Sequence, residues 1–129
     1  MSLLRKPAVW LAAAAIYAAL TFVVSMIAGI SILPRIKLRI DLILHVIEYG
    51  ILAWLILRYF RAVGWPLHWR SCAWITLLIC AVVGGLNELL QTRIPGRFGD
   101  VNDMIANLVG AGLVIWWFRR RLKQALQKG

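Results

Sequence analysis

From Ala8 to Leu33 the chain runs without one charged side chain. An α-helix needs about 20 apolar residues to cross a hydrocarbon core of roughly 30 Å, so this stretch is long enough to span with some tilt. Three further apolar runs follow, at about 40–60, 71–91 and 101–118. In lipid the backbone must satisfy its own hydrogen bonds, which favours helices. The expected architecture is therefore an all-α membrane protein, a single domain over residues 1–129 with four transmembrane helices at about 8–33, 40–60, 71–91 and 101–118. Composition agrees. At 129 residues, 62% hydrophobic and with a mean hydropathy of +0.79, a water-soluble fold could not hide so much apolar surface. Arg5 and Lys6 would suit the start of a signal peptide, but the apolar stretch is too long and no small-residue cleavage pattern closes it, so a retained helix is expected.

Charge is lopsided, with 15 Lys and Arg against 5 Asp and Glu. The basic residues lie in short segments between the apolar runs, where they read as topology signals and contacts to anionic lipid. No basic helix or aromatic-basic platform points to nucleic acid. Arg5, Lys6, Arg58, Arg61, Arg70, Arg119, Arg120, Arg121, Lys123 and Lys128 fall on one side. Arg35, Lys37, Arg39, Arg93 and Arg97 fall on the other. Ten against five places both termini in the cytoplasm. Trp10, Trp65, Trp69, Trp74, Trp116 and Trp117 gather near the same, inner boundary, as interfacial aromatics do. Cys72 and Cys80 stand about 12 Å apart along one helix, too far to pair with each other, and read as packing residues.

All five acidic residues, Asp41, Glu48, Glu88, Asp100 and Asp103, lie at or near the opposite, extracytoplasmic end. Ionisable groups in a bilayer should face the bundle interior or a wet cavity. Helical spacing supports one shared site. Asp41, His45, Glu48 and Tyr49 share a face of the second helix; Gly84, Glu88 and Gln91 share one of the third, with Asn87 beside them; Asp103, Asn107 and Gly110 share one of the fourth. At 1.5 Å per residue His45 lies about 6 Å below Asp41, and Asn107 about 6 Å below Asp103, so the depths match. Pro95-Gly96 marks a turn that would swing Arg97 back over the cluster, towards a carboxylate or an anionic head group.

His45 is the natural general acid or base, since its ordinary pKa lies near neutrality. Glu88 or Asp41 would be its partner in such chemistry. Arg97, Asn107, Gln91, Asp103 and Tyr49 suit ligand binding, and Asn107 and Gln91 suit interhelical hydrogen bonds equally well. At this end of the bundle one histidine, no cysteine and no H-E-x-x-H spacing argue against a metal, and no cofactor is expected. The small-residue stripe Ala12, Ala15 and Ala19, and the pair Ala106 and Gly110, read as close helix packing.

Taken in order, Asp41-x-x-x-His45-x-x-x-Tyr49, Glu88-Leu89-Leu90-Gln91, Pro95-Gly96-Arg97 and Asp103-x-x-Ala106-Asn107-x-x-Gly110 resemble the VanZ-like family over roughly residues 38 to 118. Leu42 stands where family members often carry Lys, and Glu48 is a carboxylate beyond the pattern. The resemblance implies a multi-pass protein of the bacterial cytoplasmic membrane and cell envelope, from a family named for low-level teicoplanin resistance; it supplies no reaction. Three functions stay open. The cluster binds a membrane lipid or a lipid-linked envelope intermediate, or it is an enzyme site, or it is a network that only holds helices in register. Nothing in the sequence names a protein partner.

Overall fold

The computed structural model describes residues 6–28, 34–65, 68–95 and 99–127. Four helices form the chain: α1 (Pro7–Ala28), α2 (Pro34–Ala62), α3 (Trp69–Gln91) and α4 (Val101–Gln127). All are long and apolar enough to cross a membrane, and there is no strand among the described residues. Pro7 and Pro34 open their helices, where the missing N–H costs no hydrogen bond. Two helices outrun the apolar stretches. α2 begins six residues ahead of Ile40, and α4 continues past Phe118 through the arginine run to Gln127. Hydropathy marks where lipid lies, whereas Arg, Lys, Leu, Gln and Ala continue a helix into water readily.

The helices run alternately up and down. Trp10 near the start of α1 meets Trp54 towards the end of α2, edge to face with ring centroids 5.5 Å apart. The Arg58 guanidinium lies over both rings, 4.4 Å from the Trp10 centroid and 5.5 Å from that of Trp54. At the same end Arg120 covers Trp116 and Arg121 faces Trp117, while Trp65 meets Trp69 across the α2–α3 connection. Cationic and aromatic side chains thus gather at one end of the bundle. Because the Arg58 contact is half-buried and joins α1 to α2, Arg58→Gln is expected to lower stability by about 1 kcal/mol. A thermal melt in detergent reads this out, and an unchanged midpoint would remove the contact's importance.

α2 is the central helix, packing most extensively against α4 and then α1. The α2–α4 crossing turns on Gly110. A Cβ there would overlap the Val46 carbonyl group, so only glycine lets the two backbones meet. Gly84 of α3 plays a similar part, since its Cβ would come within 2.8 Å of the Asn107 amide nitrogen and 3.4 Å of the Tyr49 ring. The expected packing stripe on α1 is corrected by the structure. Ala12, Ala15 and Ala19 are exposed, and Trp10, Ala14 and Thr21 face the bundle instead. The large Trp10 ring decides the rotation of α1, because its contacts with Trp54 and Arg58 outweigh what three methyl groups can offer.

Candidate functional site

At the other end of the bundle the buried surface is polar. α3 buries Asn87, Glu88 and Gln91 in its last two turns, and α4 buries Asp103 and Asn107 in its first two. α2 adds His45 and Tyr49 from its middle turns. Tyr49, Asn87 and Asn107 are at most 1% exposed. The sequence spacing that put these residues on inward faces of three helices is therefore realised as one contiguous group.

The group is held by contacts across helices. His45 Nε2 lies 3.5 Å from Asp103 Oδ2 and links α2 to α4. The Asp100 backbone N–H donates to Glu88 Oε2 at 3.0 Å, which ties the α3–α4 connection to α3. Asp100 also caps α4: its Oδ1 accepts from the Asn102 backbone N–H at 2.8 Å and from the Asn102 side-chain amide at 2.9 Å. The first turn of α4, with its positive dipole end, thereby sits against the Glu88 carboxylate. The Gln91 side-chain amide donates to the Ser25 hydroxyl, so α1 joins the group as well.

Many polar atoms in this group are left over. His45 Nδ1, Glu88 Oε1, Asp103 Oδ1 and both polar atoms of the Asn107 amide are buried without a hydrogen-bond partner. The Tyr49 hydroxyl and the Asn87 amide lie close together without an aligned hydrogen bond. Each unpaired buried polar group costs about 1–3 kcal/mol, so a cluster of them is an expensive way to fill a bundle. His45, Glu88 and Asp103 each turn a ligand-capable atom to within 4.8 Å of the other two.

Some residues fall differently from the sequence reading. The close partner of His45 is Asp103, not Glu88 or Asp41. Contact at Gly110 draws the start of α4 against α2, and Glu88 Oε2 is already engaged by Asp100. Asp41 and Glu48 are only half-buried, and Glu48 lies on the α1 side within electrostatic reach of Tyr17. Arg97 and Gly96 lie outside the described residues. Two contributors were missed. Ser25 is a lone hydroxyl in an apolar helix, and only its level near the end of α1 marked it as a neighbour of Gln91. The Asp100 N–H is a backbone group with no side-chain signature.

Beside the group an apolar groove of about 340 Å³ opens between α2 and α4, lined by Val46, Ile47, Gly50, Ile51, Gly110 and Leu113 among others. It starts one residue from His45 and one turn from Asn107, so a polar and an apolar surface adjoin.

Comparison with known proteins adds a lineage. An uncharacterized protein of Schizosaccharomyces pombe is 37% identical over 60 residues, which cover 43% of this chain and 37% of the relative. The matched part is thus little more than a third of that relative's length. No solved structure matches the chain. The VanZ/LLP1 family model matches residues 13–123, reaching into α1 and well beyond the motifs at the polar end. With most of its length matched, and with the polar faces of α2, α3 and α4 meeting as the motifs require, the chain belongs to the VanZ/LLP1 family.

Proposed function

We propose that this protein binds the polar head of a membrane amphiphile, a lipid-linked or anionic molecule of the bacterial cell envelope. The buried, unpaired polar atoms at one end of the bundle carry this reading, because they are donors and acceptors without internal partners beside an apolar groove. Asn107, Tyr49 and Gln91 would engage the head group, with Arg97 adding a cation from the adjoining connection. The chain of the amphiphile would follow the α2–α4 groove. The distribution of Lys and Arg supports placing this pocket on the side opposite the cytoplasm, with both termini inside and the protein in the cytoplasmic membrane. A ligand of that kind is also consistent with a contribution to tolerance of teicoplanin.

The test is native mass spectrometry of the protein released from membranes, comparing wild type with Asn107→Leu. The wild type should retain a defined amphiphile that the variant loses by tenfold or more, with both equally folded. Wild-type protein carrying only bulk lipids in their membrane proportions would end this reading.

The His45–Asp103 pair favours a second reading, in which His45 moves a proton on a bound substrate. Turnover of the co-purified amphiphile, lost in His45→Gln, separates catalysis from binding; unchanged amphiphile after prolonged incubation removes it.

A further inference from the structure

We propose that His45, Glu88 and Asp103 form a binding site for one divalent first-row transition-metal ion, of the manganese–zinc class. The absence of a metal motif within any one helix had argued against such a site. The three residues come from α2, α3 and α4, so a metal motif confined to one helix does not contain them.

Geometry is the first argument. A tetrahedral ion with bonds of about 2.1 Å sets its donors about 3.4 Å apart. His45 Nε2 and Asp103 Oδ2 already stand at 3.5 Å. One donor from each of the three residues falls within 4.8 Å of the others, so a small side-chain rotation closes the set around an ion.

Charge is the second. His45, Glu88 and Asp103 are 5%, 8% and 7% exposed. Two carboxylates buried this closely repel each other, and a single imidazole offsets at most one of them. A divalent ion neutralises the pair.

The unpaired atoms are the third. Glu88 Oε2 is held by the Asp100 N–H, while Oε1 is buried and free. Asp103 Oδ1 and His45 Nδ1 are also free. Both carboxylates therefore keep lone pairs unspent, and the Asp100 contact fixes Glu88 as outer-shell hydrogen bonds fix metal ligands. One imidazole and two carboxylates suit manganese or zinc better than the soft ions that thiolates select. Three protein ligands leave room for water or an anionic oxygen. The site concerns the same pocket as the amphiphile but does not depend on it, because an ion can be measured with no such ligand added.

The experiment uses full-length protein without a histidine tag, in nanodiscs of zwitterionic lipid, stripped with chelator and then given Mn²⁺ or Zn²⁺ alone. One ion per chain should remain after dialysis, with a raised melting temperature. Glu88→Gln and Asp103→Asn should each weaken binding by 100-fold or more. Because these variants could fold poorly, Co²⁺ is also bound to the wild type, where its visible absorption must report a nitrogen–oxygen ligand sphere of low symmetry. No retained ion, equal retention by both variants, or a purely hydrated cobalt spectrum would each overturn the proposal.

Discussion

Alanine at Gly110 is expected to push α2 and α4 apart and to lower the stability of the protein by about 3 kcal/mol. The added methyl meets the Val46 carbonyl group, which is backbone and cannot rotate away. Relief requires the helices to separate along the most extensive contact in the bundle, and with it the positioning of His45 against Asp103. Gly112, two residues along the same helix, is the control, since a Cβ there meets nothing within 4 Å. Gly112→Ala should be neutral or stabilise by up to about 1 kcal/mol, as alanine is the better helix former. Thermal unfolding in detergent checks both. Equal effects at the two positions would show that helix propensity, not backbone approach, sets the response.

The second large effect lies in the polar group. His45→Leu alone leaves Asp103 and Glu88 buried without the imidazole, and removing one partner of a buried pair typically costs about 3–5 kcal/mol. His45→Leu combined with Asp103→Leu removes both sides and should recover most of that loss, because apolar replacement of a buried pair is often neutral. The double variant should nonetheless bind neither amphiphile nor metal. Stability and ligand retention are measured on the same preparations. Recovered stability with lost binding means the charges serve a ligand; a double variant as unstable as the single one would make the pair structural.

The sequence displays most of this arrangement, for identifiable reasons. Long apolar runs disclosed the four helices, and polar residues three, four and seven apart disclosed which face each helix turns inward. His45, Tyr49, Asn87, Glu88, Gln91, Asp103 and Asn107 meet as those faces require. What escaped was partnership. Asp103 and His45 are neighbours because Gly110 sets the distance between two helices, and no periodicity within either helix encodes that distance. The α1 face escaped as well, since an alanine stripe is a permissive signal and a single tryptophan with a cation above it is a stronger one. The helix ends differed where basic residues continue the helix beyond the apolar run.

The 27 residues of α4 extend for roughly 40 Å, more than a hydrocarbon core of about 30 Å can hold. Trp116 and Trp117, capped by Arg120 and Arg121, mark where this helix leaves the lipid. Counting back at 1.5 Å per residue, Asn107 lies about 15 Å from that boundary and Asp103 about 20 Å. The helix is thus a depth gauge, and it sets the deepest of its buried polar side chains, Asn107, at about half the thickness of a hydrocarbon core. For the proposed amphiphile, a head group at Asn107 would be drawn below its own leaflet's surface by about half the hydrocarbon thickness. Occupancy then becomes a property of the surrounding lipid as well as of the protein, since a thinner bilayer shortens that descent.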